Sequence, residues 1–266
     1  MTALAYDRVG SGPPLVLLHG IGSWRGAFAP VIPELARHFD VINIDLPGSG
    51  ESAPLPPDVE LTPTAIAAAV ARFLDELGIV TPHLAGNSLG GWVALELAGI
   101  RPAASVTLLS PAGLWGDDCP AYCQASLRGS WWMTRHAGGL LTRAVSSRPG
   151  RVLILRQTHG RPAALDPAYA RAAIRELATG PGFEPALRAT AHRRYRSGPP
   201  LRCPVSVAFG SRDVLLLPRQ SRYLDQLPPG TRLASLPGCG HVPMADDPVA
   251  VAGFIARSAA RATAPA

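Results

Sequence analysis

Two hydrophobic patterns alternate along the first 110 residues. Two short runs, the unbroken apolar Leu15-Val16-Leu17-Leu18 and the mostly apolar Val41-Ile42-Asn43-Ile44, fit strands buried on both faces. Between them, residues 27–37 place Val31, Leu35 and Phe39 on one side of a predicted helix. Residues 4–9 predict an earlier strand, and the Gly/Pro turn at 10–14 suggests that it forms a hairpin with the run at 15–18. Thr62 is placed to cap a helix that runs to about Leu77 and stops at Gly78. An apolar run ending at Ala85 then turns into an Ala/Leu-rich helical pattern, and residues 105–110 predict a further strand.

The alternation stops at Pro111. Residues 112–200 contain helical fragments broken by Gly and Pro, with Trp115, Trp131 and Trp132 among them. This stretch is expected to be a helical cap inserted after a strand. The competing reading is additional α/β core, for which Val152 to Leu155 offers the one strand-like run. Alternation returns with a strand at 205–209, a helix near 219–227, a strand at 232–236 and a last helix from Pro248 to about Arg261.

This order predicts an α/β fold with a mostly parallel, doubly wound sheet and helices on both faces. Its core would comprise residues 1–111 and 201–266, with 112–200 as the cap. Ligands bind such sheets at the carboxyl ends of the strands, and His19, Asp45 and Ser88 all fall at predicted strand ends.

Composition narrows the class. With 266 residues, 47% hydrophobic and 17% charged, the chain can bury a full core. No apolar run reaches the roughly 18 residues of a membrane span, and the first residues lack the pattern of a signal peptide, so a cytoplasmic location is expected. The formal charge is +6, and every one of the 25 basic residues is arginine. They scatter along the chain without the basic, aromatic-interleaved stripe of nucleic-acid binders, so no nucleic-acid partner is expected. The four cysteines lack paired C-x-x-C spacing, leaving Cys119 and Cys123 as the local candidate for a disulfide. The seven histidines form no metal-ligand motif, so neither metal nor cofactor is expected.

The chemistry centres on Gly86-Asn87-Ser88-Leu89-Gly90, a G-x-S-x-G pentapeptide between a strand and a helix. A sharp strand-to-helix turn would present the Ser88 hydroxyl beside the backbone N–H groups of a helix start; the plainer alternative is a helix-capping serine. A serine nucleophile needs a base, and the base needs a partner that fixes its tautomer. His241, in Gly238-Cys239-Gly240-His241, and Asp213, in Phe209-Gly210-Ser211-Arg212-Asp213, both lie just past predicted strands. Asp117 and Asp118 compete for the role of the acid, whereas Asp246 and Asp247 fit caps of the final helix. Negative charge on a reacting oxygen would be held by the backbone N–H groups of Leu89 and Ile21. His19 is expected to be structural and bonded to nearby backbone. Asn87, Trp115, Trp131, Trp132 and Val242 are candidates for the substrate pocket.

The segments LVLLHGIGSW, INIDLPGSGES, LAGNSLGGWVALELA, FGSRD and GCGHVPMADDP, in this order and spacing, resemble the α/β-hydrolase superfamily across nearly the whole chain outside the cap. The resemblance implies a cofactor-independent serine hydrolase acting on a small-molecule substrate, a small to medium, largely apolar ester or thioester. The GNS form of the turn is similar to that of C–C hydrolases of the meta-cleavage type, but those carry an aromatic residue where this chain has Val242. An Asp nucleophile, as in haloalkane dehalogenases and epoxide hydrolases, is excluded by Ser88. A ligand-binding receptor or scaffold that keeps the fold is the alternative from another class. Oligomeric state is not encoded in any of these features.

Overall fold

The computed structural model describes residues 4–262, so the first three and last four residues of the two expected core segments lie outside the described residues. Seven strands form one sheet: β1 (Tyr6–Gly10), β2 (Pro14–Leu18), β3 (Asp40–Ile44), β4 (His83–Asn87), β5 (Ser105–Leu109), β6 (Val205–Gly210) and β7 (Arg232–Leu236). Their order is β1-β3-β2-β4-β5-β6-β7, parallel throughout except for β1. The helices are α1 (Ile32–Leu35), α2 (Pro63–Glu76), α3 (Leu89–Ile100), α4 (Ala121–Ala144), α5 (Arg148–Leu155), α6 (Pro167–Thr179), α7 (Phe183–Thr190), α8 (Pro218–Ser221) and α9 (Pro248–Ala260).

The period-two alternation of each buried strand feeds two cores. Val16 and Leu18, with Ile42, Ile44, Leu84, Val106 and Val207, pack toward α2 and α3. Leu15 and Leu17, with Val41, Ala85, Leu109 and Ala208, pack toward Phe28, Leu35 and the α9 residues Val251, Phe254 and Ile255. Both faces are therefore covered, as a parallel sheet requires.

The expected β1–β2 hairpin does not form. β1 pairs antiparallel with β3, and β2 lies on the far side of β3. The turn instead crosses the start of β3, where Asp40 N–H donates to the Pro13 carbonyl at 3.1 Å. Gly10, at φ 91°, permits the crossing, because a β-carbon there would collide with the backbone of Ala36 and Phe39.

Two helix expectations are also shortened. Residues 27–37 divide into a 3-10 turn (Arg25–Phe28) and the single-turn α1, since Pro30 and Pro33 bring no N–H to the ladder. The helix expected at 219–227 is reduced to α8. Arg222 leaves helical geometry to lay its guanidinium over the Phe209 ring at 4.4 Å, and Tyr223 N–H is drawn to the Leu114 carbonyl at 2.9 Å. The Thr62 cap is observed, its Oγ1 accepting from Ala65 N–H at 3.1 Å.

Residues between β5 and β6 are helical, and the strand-like run at Val152 lies within α5. Among the described residues no helix is long and apolar enough to cross a membrane. All four cysteines are free thiols.

Candidate active site

The turn from β4 into α3 is a strained one. Ser88 sits at φ 54° and ψ −117°, a region that side chains other than glycine rarely occupy. Its neighbours hold it there: Ser88 N–H donates to the Leu109 carbonyl at 3.0 Å, and Ser88 O accepts from Gly91, Trp92 and Ala112 N–H. The flanking glycines are a packing necessity. A β-carbon on Gly86 would strike the Gly90 carbonyl, and one on Gly90 would strike the Leu18 carbonyl of the adjacent strand end. The turn can close only with both positions bare.

His241 follows β7 and Asp213 follows β6. Asp213 Oδ2 meets His241 Nδ1 at 2.9 Å, with both residues buried. The second carboxylate oxygen accepts from Leu215 N–H at 3.0 Å and Leu216 N–H at 2.9 Å. Burial by itself would raise the Asp213 carboxyl. The imidazole of His241 and these two N–H groups outweigh it, leaving the carboxyl below its ordinary range. The competing acids lie at the surface, where Asp118 Oδ1 is 3.2 Å from His192 Nδ1 and Asp117 is exposed.

Ser88, Leu89, Ile21 and His241 open together onto one small cavity of about 30 Å³. The remaining wall comes from Ala112, Trp115, Cys119, Cys123, Leu127, Leu187, Thr190, Leu215 and Leu216. The Thr190 hydroxyl spends its proton on the Ala186 carbonyl at 2.9 Å, leaving only acceptor capacity toward the cavity. Neither Ile21 N–H nor Leu89 N–H is bonded to any group among the described residues. The two residues that carry these unspent donors thus line the cavity together with the serine. A larger groove of about 790 Å³ between residues 53–59 and α2 contains no serine, cysteine or histidine.

The other expected site residues are distributed differently. Trp115 lines the cavity, held by Nε1 donating to the Arg193 carbonyl at 2.7 Å and by an edge-on contact with Trp92. Trp131 stacks on Phe183 with ring centroids 5.6 Å apart, and Trp132 is exposed beside His136; neither lines the cavity. Asn87 is a staple, its Nδ2 donating to the carbonyls of Leu109 and His241, both at 2.9 Å. Val242 is also off the wall, its N–H donating to the Thr158 carbonyl. His19 bonds backbone alone: Nε2 accepts from Leu46 N–H at 3.0 Å and Nδ1 lies 2.8 Å from the Gly20 carbonyl. Burial lowers its pKa, against the opposing pull of the Gly20 carbonyl and Asp45.

Sequence reasoning missed Asp246. Asp247 caps α9 through Ala250 N–H as expected, but Asp246 does not. Its buried carboxylate accepts from Gly240 N–H at 2.7 Å, Gly160 N–H at 2.7 Å and Arg161 N–H at 2.8 Å. The loop bearing His241 is thereby tied to the helical insertion on one side and, through Asn87, to β4 on the other. The cavity wall at Cys119, Cys123 and Leu127 was also overlooked, although Cys123 and Leu127, four residues apart, lie on one face of α4.

The alpha/beta hydrolase family model matches residues 15–254. A pimeloyl-[acyl-carrier protein] methyl ester esterase of Aeromonas hydrophila is 37% identical over 131 residues, 48% of this chain and 50% of that protein. An epoxide hydrolase of Mycobacterium tuberculosis is 34% identical over 207 residues, 71% of this chain and 90% of that protein. The chain spans under a third of two further curated relatives, 28% and 30% of their lengths. In fold it is similar to an esterase from Thermogutta terrifontis, with a TM-score of 0.75 at 24% identity, covering 98% of this chain and 94% of that one. A family match that runs from β2 to α9, on a sheet with this order and this turn, leads to one conclusion: the chain belongs to the alpha/beta hydrolase family.

Proposed function

We propose that the protein is a cofactor-independent serine hydrolase that cleaves a small to medium, largely apolar ester or thioester through an acyl-enzyme. One observation carries this reading: a serine, a histidine paired to a buried carboxylate and two residues with unspent backbone N–H groups line the same largely apolar cavity. In the proposed reaction His241 takes the Ser88 proton as Oγ attacks the substrate carbonyl. The N–H groups of Ile21 and Leu89 hold the resulting oxyanion. Asp213 fixes the imidazole with Nδ1–H toward the carboxylate and stabilises its protonated form. Collapse expels the alcohol or thiol, which takes the proton from His241. Water, deprotonated by the same histidine, then attacks the acyl-enzyme and releases the acid and Ser88.

The cavity chemistry supports a neutral, apolar acyl group. Apart from the reacting groups and the Thr190 hydroxyl, its wall is hydrocarbon, indole and thiol, and a charged acyl chain would be desolvated there without a charged partner. At about 30 Å³ the space holds roughly one water molecule. Substrate entry therefore requires movement of the segment at 112–200, which we read as a cap whose α4 and α7 form the wall. No carboxylate stands at the turn to open an epoxide by direct attack.

A fluorophosphonate should label Ser88 and no other residue, as mapped by peptide mass spectrometry, and p-nitrophenyl esters of graded chain length should be hydrolysed. Ser88→Ala should abolish labelling and lower turnover on the order of 10³-fold or more. A protein that neither labels nor turns over any ester, yet binds such ligands, would be the ligand-binding scaffold instead.

A further inference from the structure

The helices between β5 and β6 carry a pattern that the reaction does not use. Residues 119–165 contain seven of the 25 arginines and none of the 19 acids. The remaining 18 arginines and 19 acids nearly cancel, so this stretch supplies essentially all of the net +6. Outside this stretch acids are interspersed and some exposed arginines meet carboxylates, as in Arg8–Asp40, Arg188–Glu184 and Arg193–Glu60, while Arg72, Arg196, Arg202, Arg219, Arg232 and Arg257 are exposed without an ion pair among the described residues. Arg128, Arg135, Arg143, Arg148 and Arg156 are all exposed, and none is in an ion pair among the described residues.

Exposed apolar side chains are interleaved with them. Leu153 is 76%, Leu140 71% and Trp132 61% exposed, and Tyr122, Met133 and Val152 are also open to solvent. α4 is kinked at Ala137 (φ −125°, ψ 19°). Before the kink, at 3.6 residues per turn, Tyr122 and Met133 share one stripe and Arg128, Trp132 and Arg135 the adjoining one; after it Leu140 and Arg143 are both exposed. Cys123, Thr134 and Leu141 lie buried on the opposite side. Exposed leucine and tryptophan set among arginines are the composition with which an amphipathic helix meets a lipid interface, and the uncompensated positive charge makes the partner anionic.

We propose that the outer face of α4 and α5 binds the surface of an anionic phospholipid membrane. Trp132, Leu140 and Leu153 would enter the boundary between headgroups and acyl chains, and the arginines would meet lipid phosphates. A second copy of this chain does not fit, because it would set five unpaired guanidinium groups against five more. Nucleic acid would satisfy the arginines but leave the leucines unburied. The inner side of the same helix lines the cavity through Cys123 and Leu127. On the proposed ester reading, that sets the apolar cavity about one helix diameter, roughly 10 Å, from the lipid.

The test is co-sedimentation of the full chain with phosphatidylcholine vesicles, with and without 30% phosphatidylglycerol, at low and high salt. Binding should require the anionic lipid and weaken with salt. Arg128→Glu/Arg143→Glu/Arg148→Glu should reduce partitioning on the order of 100-fold, and Trp132→Ser/Leu153→Ser on the order of tenfold. Both variants should keep the parent thermal midpoint and turnover of a soluble p-nitrophenyl ester. Absence of binding to anionic vesicles, or binding that ignores both variants, overturns the proposal. So does binding to soluble poly-glutamate without binding to vesicles, which would assign the face to an acidic macromolecule. Sedimentation does not depend on turnover, so a failure of the ester reading is recognised separately.

Discussion

At the scale of single residues, the site depends on which atoms are already committed before substrate arrives. Both Asp213 oxygens are engaged, one by His241 and the other by two backbone N–H groups. Asp213→Asn keeps the volume but presents an amide that favours the wrong imidazole tautomer. Turnover should fall by roughly 10³–10⁴-fold with the fold intact, as read from steady-state kinetics beside circular dichroism. Asp117→Asn and Asp118→Asn should be nearly silent, because both carboxylates face solvent. Crippling losses at either of those positions with a silent Asp213→Asn would move the acid to the chain after β5.

At the scale of elements, α4 divides its three nearby tryptophans among three surroundings. Trp115, just before the helix, walls the cavity. Trp131 joins α4 to α7 through Phe183, which in turn packs over Gly22 of the loop bearing Ile21. Trp132 faces outward. Substitution by leucine should separate them. Trp115→Leu enlarges the cavity and should shift the preferred acyl length upward while reactivity toward a small fluorophosphonate persists. Trp131→Leu should lower stability by about 1–3 kcal/mol in denaturant titration, with relative ester preferences unchanged. Trp132→Leu should alter neither. An unchanged ester profile in Trp115→Leu would show that this wall of the proposed cap does not set acyl preference.

At the scale of the whole molecule, buried histidines set the acid limit. Burial holds His159 at a pKa of about 4, with the nearby His241 adding to the effect and Asp246 opposing it. His19 and His83 are also lowered by burial. The unfolded chain takes up protons near the ordinary value of about 6.5, whereas native His159 stays neutral until about pH 4. Below 6.5 the unfolded state binds more protons, so stability falls with pH, by about 3 kcal/mol at His159 once pH 4 is reached. The lowered Asp213 carboxyl adds a later loss, as pH drops through its depressed value. The thermal midpoint should therefore decline from about pH 6.5 to 4, and His159→Gln should flatten that decline. An unchanged slope in this variant would show that His159 is not the residue responsible.

Much of this protein follows from short-range rules that the sequence states directly. Thr62 caps α2 because its hydroxyl needs an N–H only three residues on, and Asp247 caps α9 in the same way. The alternation of apolar runs and helical stretches specifies a two-faced parallel sheet, and the glycines around Ser88 mark a turn that nothing larger could close. What lies across the sheet is not written locally. β1 passes β2 to pair with β3, because strand partners are chosen by burial and crossing geometry rather than by adjacency in the chain. Asp246 and Asp247 are neighbours of the same type, yet Asp246 is claimed by backbone N–H groups some 85 residues away. Trp131 and Trp132 differ by one helical step, about 100°, and it is the tertiary placement of Phe183 of α7 that gives Trp131 a partner while Trp132 stays exposed. The residue types and their order determined the fold and the candidate reacting groups. The cavity, the staple at Asn87 and the clamp at Asp246 were decided by contacts between distant segments, which exist only once the sheet has brought its strand ends together.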